Sequence, residues 1–380
     1  MVDVPLGGRC GPGFDAVGQA FAANFATGGE VGASVAVVVE GEVVVDLHGG
    51  WADRARTRPF GGDTLVNVYS VGKPFVALLA LKLVDRGLIG LDQPIASVWP
   101  EFSAGGKETA TVRHALCHRA GVPAIRSPLT DDDLREWDTM ASAVAATRAW
   151  WAPGTRHAYH TNTYGHLVGE IVRRVTGALP GAGLAQVTGP LGADVWFGVR
   201  PRDLHRCADI VMDVGPLPVE APVGGDDDAA MELASYFNPP GYSSMGVVNT
   251  EWWRTIQVPS TNGHGTALGV ARIYAGLLEP GRLLSPGLLA EATRAQSTGY
   301  CPILGEPAVF GLGFTPTTPR RPFGPHPGSF GHFGTGGAVG FADPRTGVAF
   351  GYVMNQVIPR WQSSRNRALI DAVYRCVDLR

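Results

Sequence analysis

Residues 67–75 read Asn-Val-Tyr-Ser-Val-Gly-Lys-Pro-Phe, and within them Ser70 and Lys73 stand three positions apart at the head of the apolar run VALLALKLV. A serine hydroxyl is a weak nucleophile until a base takes its proton. A lysine amine can be that base when its surroundings disfavour the charged form. Lys73 is one of three lysines among 31 basic residues, and a lysine beside a buried-looking segment needs a partner or a task. Pro74 fixes the geometry. It lacks an N–H and clashes with a preceding helical turn, so a helix here must begin close to Ser70. On a helix, residues i and i+3 share a face and side chains lean toward the N-terminus, which lets the Lys73 amine reach back to the Ser70 hydroxyl. The free N–H groups and positive dipole end at that place suit a growing oxyanion and push Lys73 toward neutrality. The alternative, a chance Ser-x-x-Lys with Lys73 reaching solvent, stays open on this stretch alone.

Two further stretches bear on the choice. In PGTRHAYHTNTYGHLVGEIVRRVTG, residues 153–177, Tyr159 sits in a turn-rich segment just ahead of a helix, placed to aim a phenol into a cleft. A phenolate beside a lysine ammonium is stabilised, so Tyr159 could trade protons with Lys73 and Ser70; the other reading is a packed tyrosine. In FGHFGTGGAVGFADP, residues 330–344, a strand runs into glycines that permit close approach of a ligand or another backbone. Gly334, Gly336 and Gly340 do not make a dinucleotide loop, because Asp343-Pro344 opens a turn where a helix would have to follow. His118 and His264 read as hydrogen-bonded structural residues, and Asp226, Asp227 and Asp228 as a helix start, not a metal site. Trp252, Trp253, Tyr242 and Phe237 fit either an acyl or alcohol pocket or plain packing.

The elements that must position these groups follow from the pattern. Residues 13–28 have helical spacing, and two β-branched runs flank Glu40-Gly41, a hairpin signal. Helical patterns run from Pro74, over 108–120 and 130–150 and again just after Tyr159, with loops and a short helix near 227–236 expected over 195–265. The stretch 265–281 is helical, the tail from about 308 to 355 is β-rich, and an amphipathic helix closes the chain. β material at both ends with helices between predicts an α/β (mixed α+β) fold: one antiparallel sheet built from both termini, with an inserted helical part. The boundaries expected are 1–69 plus 266–380 for the sheet domain and 70–265 for the helical domain. The chain of 380 residues is 45% hydrophobic with a net charge of −3, so it offers no basic field for nucleic acid. The opening residues lack a charged start followed by an apolar core, and no run reaches membrane-span length, so a cytoplasmic protein without membrane contact is expected. Five scattered cysteines with no CxxC pair argue for reduced thiols and against a zinc site.

Taken together, these motifs resemble the serine β-lactamase and penicillin-binding-protein superfamily, most of all its class C-type esterase branch, the family VIII carboxylesterases. Ser70-Val71-Gly72-Lys73 matches the family's Ser-x-x-Lys. Tyr159 matches the tyrosine of its Tyr-x-Asn element, and His332-Phe333-Gly334 falls where β-lactamases carry Lys-Thr-Gly. LCHRAGVP at 116–123 is similar to the family's LLSHTSGLP, and Pro153-Gly154-Thr155 is in its usual place, so the resemblance covers nearly the whole chain. It implies a β-lactamase-like fold and an acyl-enzyme on Ser70 with Lys73 and Tyr159 as partners. It also implies a small-molecule ester substrate and neither metal nor organic cofactor. By the same resemblance the oxyanion hole is formed by the N–H groups of Ser70 and Thr335, with His332, Gly334 and Asn162 on the substrate side. An acyltransferase, an amide or β-lactam hydrolase on the same machinery, and a catalytically silent binding protein are the alternatives. The sequence also departs from the family's pattern. Thr161 stands two after Tyr159, with Asn162 one step late; a shifted register would put His160 in the tyrosine slot; and His332 replaces a lysine. The chain has no Gly-x-Ser-x-Gly, which argues against an α/β-hydrolase elbow.

Overall fold

The computed structural model describes residues 4–212, 228–358 and 362–378. Its main sheet has seven strands: β1 (Leu6–Cys10), β2 (Gly32–Val39), β3 (Glu42–Gly50), β4 (Thr315–Pro316), β5 (Phe330–Phe333), β6 (Val339–Asp343) and β7 (Val348–Met354). They lie in the order β1-β3-β2-β7-β6-β5-β4, with every neighbour antiparallel. The expected hairpin joins β2 to β3. Glu40 and Gly41 both have positive φ, 49° and 85°, the two-residue turn whose twist matches the strands it connects. The seam between chain ends is the β2–β7 ladder, in which Ala36 faces Gly351 and Ser34 faces Val353. All eight residues of β2 are buried, as a central strand covered on both faces requires.

Six helices matter for the site and its support: α1 (Asp15–Thr27), α2 (Gly72–Asp85), α3 (Trp137–Ala146), α4 (Thr163–Thr176), α5 (Ala267–Leu278) and α6 (Ser364–Val377). Helix α5 lies flush on one sheet face because the strands beneath it carry glycines. A Cβ on Gly351 would sit 2.2 Å from Ala267 O, and one on Gly340 would sit 2.6 Å from Tyr274. Side chains alternate along a strand, so Asp343 points to the opposite face, where Tyr374 of α6 donates to it at 2.8 Å. Helix α6 begins with a capping box between Ser363 and Asn366 and packs on α1; its buried Arg365 pairs with the buried Glu30 at 2.7 Å.

Between β3 and β4 helices are the main regular elements among the described residues, with short strands between them, and α2 packs against α4. Of the four aromatic residues with two open readings, Trp253 and Tyr242 are core: neither is exposed, and Trp253 donates to Asn67 Oδ1 at 3.0 Å. Asp228 opens the helix Asp228–Phe237, while Asp226 and Asp227 lie outside the described residues. No helix among the described residues is long and apolar enough to cross a membrane.

Candidate active site

Ser70 lies in a 3-10 turn, Tyr69–Val71, that runs directly into α2. Tyr69 holds φ at +52°, a left-handed conformation that bulky residues rarely adopt, and its ring is buried. Such strain persists only where surrounding packing fixes it, and here it fixes the residue before the candidate nucleophile. Gly72 is needed for a different reason. A Cβ there would stand 2.4 Å from Pro259 O, so only glycine lets the 259–261 loop close on the head of α2. That loop supplies one of the lysine's partners.

Lys73 is fully buried, with Nζ 3.0 Å from Ser70 Oγ, 2.7 Å from Thr161 O and 3.0 Å from Ser260 O. Carbonyl oxygens only accept, so two amine hydrogens are directed at Thr161 and Ser260. The remaining tetrahedral position faces the serine hydroxyl. In a neutral amine that position is the lone pair. Burial without a carboxylate partner pushes Lys73 well below the usual lysine range, toward that neutral form. Lys107 makes the contrast plain. It too is buried, but its Nζ donates to three carbonyls, those of Ala104, Ala145 and Thr147, which fits an ammonium that ties the end of α3 to a loop.

Tyr159 Oη lies 2.9 Å from Ser70 Oγ, so the hydroxyl stands between an amine and a phenol. The lysine Nζ is 4.6 Å from the centre of the tyrosine ring. Burial drives Tyr159 above the ordinary phenol range while it drives Lys73 down. The resting pair favoured here is therefore amine and phenol, not the ammonium and phenolate that sequence reasoning considered. His160 does not take the tyrosine's place. Its Nδ1 donates to Ala158 O at 2.7 Å and its Nε2 accepts from Val122 N at 3.2 Å, a neutral tautomer locked into the scaffold.

The third stretch reaches the same point from the sheet. Strand β5 packs against the Tyr69–Val71 turn, and Gly334, just past its end, fits because a Cβ would lie 2.6 Å from Val68 O. The Tyr159 and His332 rings are stacked at 6.1 Å. His332 is 2% exposed, and burial pushes its pKa down to about 3. It is a neutral imidazole at physiological pH, with Nδ1 against Phe333 O at 2.6 Å. Thr335 is half-buried in the loop that follows. Gly334→Ala would force β5 away from the nucleophile turn, and kcat is expected to fall about tenfold or more, since displacements near 1 Å at a reacting centre cost up to about 10²-fold. Steady-state kinetics at fixed temperature checks this.

Asn162 departs from expectation. Its amide donates to Ser235 O at 2.8 Å and Ser243 Oγ at 2.7 Å, and its carbonyl oxygen accepts from Thr261 Oγ1 at 2.8 Å. Both amide hydrogens are spent within the protein, so neither is left for a substrate. The side chain instead ties the Tyr159 loop to the 259–261 loop, the two segments whose carbonyls hold Lys73. Sequence reasoning missed those carbonyls, because main-chain oxygens leave no trace in residue type. It also missed the strand Ser297–Cys301, which pairs with Glu306–Phe310 in a hairpin whose Phe310 ring stacks on Tyr159 at 5.8 Å and 12°.

A serine in the turn that leads into a buried helix, flanked by an amine and a phenol beside an antiparallel sheet, defines a class of serine-nucleophile folds. The family model described as Beta-lactamase matches residues 17–375, and this chain belongs to that family. LipL of Mycobacterium tuberculosis, an esterase/beta-lactamase, is 33% identical over 374 residues, covering 92% of this chain and 83% of that protein. The esterase EstB of Burkholderia gladioli is 29% identical over 385 residues, covering 90% and 91%. The crystal structure of a family VIII carboxylesterase is similar with a TM-score of 0.89 at 37% identity, covering 98% of this chain and 100% of that one.

Proposed function

We propose that this protein is a serine hydrolase that cleaves short-chain carboxylic esters through an acyl-enzyme on Ser70. One observation carries the reading: Ser70 Oγ is within hydrogen-bond distance of both Lys73 Nζ and Tyr159 Oη, and the lysine's other partners are carbonyls that only accept. Lys73 takes the serine proton as Oγ bonds to the ester carbon. The carbonyl oxygen becomes an oxyanion, held by the main-chain N–H groups of Ser70 and Thr335. Collapse breaks the bond to the alkoxide, which leaves as the alcohol with the Tyr159 proton, and Tyr159 is reprotonated by the Lys73 ammonium. Water then attacks the acyl-enzyme, gives its proton through the same pair, and releases the acid with Ser70 restored. Organic cofactors and metals have no part in this scheme. We also read the chain as a sheet part, 1–69 with 266–380, and a helical part, 70–265, with Ser70 near their junction.

Esters are preferred to β-lactams on the evidence of His332. A neutral imidazole offers a substrate carboxylate no charge, and a charge-assisted hydrogen bond contributes about 1.5–3 kcal/mol, or roughly 10- to 100-fold. The spent amide of Asn162 points the same way. A panel of p-nitrophenyl acetate, butyrate, octanoate and a chromogenic cephalosporin tests the reading. The specificity constant is expected to peak at the short esters and to be at least about tenfold lower for the cephalosporin. Comparable constants for butyrate and cephalosporin would overturn the preference, and no ester turnover at all would overturn the function.

A further inference from the structure

Tyr159 is held by an unusual acceptor. Its main-chain N–H donates to the thiol sulfur of Cys301 at 3.2 Å, across 142 positions of sequence. Cys301 is fully buried and ends the first strand of the hairpin Ser297–Cys301 with Glu306–Phe310. The main-chain N–H groups of Ile303 and Leu304, in the hairpin's turn, also face the sulfur. The same hairpin touches the tyrosine's segment twice more. Phe310 stacks on the Tyr159 ring at 5.8 Å, and His157 Nε2 lies 3.2 Å from Gly299 O. Ser297 Oγ anchors the hairpin by donating to Cys117 O at 2.9 Å.

We propose that Cys301 is a positioning residue for Tyr159: its sulfur joins the hairpin turn to the tyrosine main chain and so sets the distance from the phenol to Ser70. The inference rests on the reading of Tyr159 as the proton partner of Ser70. A phenol swings on its Cα, so a main-chain anchor at Tyr159 N and a stacked ring at its face together leave little freedom for Oη. Sulfur suits the post because it is large enough to receive several N–H groups at once while filling an apolar pocket, here with Ala158 and Ile303. Its thiol is itself far from reactive. Burial pushes its pKa up, so it accepts hydrogen bonds here and does not act as a nucleophile.

The test is a double-mutant cycle in the full chain with p-nitrophenyl butyrate, using Cys301→Ala, Cys301→Ser and Tyr159→Phe. Cys301→Ala removes the acceptor and is expected to lower kcat about tenfold with KM within about twofold, because misplacement of a reacting group is read in kcat. Cys301→Ser restores an acceptor and should recover most of that loss, even where its melting temperature matches that of the alanine variant. In the Tyr159→Phe background Cys301→Ala should change kcat by less than about twofold, since residues acting as one unit are not additive. Equal kcat in wild type and Cys301→Ala, serine no better than alanine, or full additivity in the cycle would each overturn the proposal. Should Cys301→Ala not fold, the serine variant decides: kcat within threefold of wild type supports the acceptor role, and a larger loss with unchanged melting temperature rejects it. If Tyr159→Phe alone kept wild-type kcat, the assignment of Tyr159 itself would fall instead.

Discussion

Ser70→Ala is expected to lose ester turnover to near the uncatalysed rate, a fall on the order of 10⁵ or more in kcat, with melting temperature within a few degrees of wild type. The two parts of that expectation have different origins. Turnover goes because the hydroxyl removed is the one that stands between Lys73 Nζ and Tyr159 Oη, the two groups that exchange its proton in the proposed scheme. The fold stays because one oxygen leaves a packed turn whose position is set elsewhere, by the strained Tyr69, by Gly72 against Pro259 O and by Gly334 against Val68 O. Wild-type protein should gain the mass of one phosphonyl group from a fluorophosphonate probe, and the variant should gain none. Ester hydrolysis near the wild-type rate in the variant, or labelling at another residue with loss of activity, would move the nucleophile away from Ser70.

Much of this arrangement was legible because it rests on local rules. Pro74 marked the start of α2, Glu40-Gly41 marked the hairpin, and β material at both chain ends foretold one sheet built from both, which the β2–β7 ladder joins. Ser70 and Lys73 are three residues apart, so helical geometry alone predicts their contact. Tyr159 was harder, since it stands 89 positions from Ser70, and only motif order pointed to it. Asn162 shows where residue type misleads. An asparagine near a candidate site suggests a substrate contact, yet here its amide is consumed by Ser235, Ser243 and Thr261, none of which is near it in sequence. The carbonyls of Thr161 and Ser260 were invisible for a related reason: every residue has one, so only folding tells which will face a lysine. His332 was read as neutral from its ordinary pKa, and the structure strengthens the point, because burial carries it lower still.

Lys73→Met is expected to abolish turnover about as completely as Ser70→Ala, and the double variant should be little worse than either, because in the proposed scheme nucleophile and base act as one unit. The more telling result concerns pH. Burial holds Lys73 below its unfolded value of 10.5, so between the two values the unfolded chain binds more protons at this site than the folded one. Stability then rises with pH across that window, as the proton that the unfolded lysine must lose on folding is already gone. Methionine has no such proton. Urea unfolding of wild type and Lys73→Met at pH 7 and pH 9.5 should therefore show the wild type gaining stability relative to the variant at the higher pH. The sign of the difference at one pH is not the test, since Met also strands the carbonyls of Thr161 and Ser260, a cost that enters equally at both. Only the change with pH isolates the proton. Activity of the wild type should follow the same logic, with kcat falling toward acid pH as the amine becomes ammonium and its lone pair is no longer available to Ser70. Parallel stability curves for the two proteins, together with an acid limb unchanged in position when Lys73 is replaced by arginine, would mean that Lys73 is charged in the folded protein and that the base lies elsewhere.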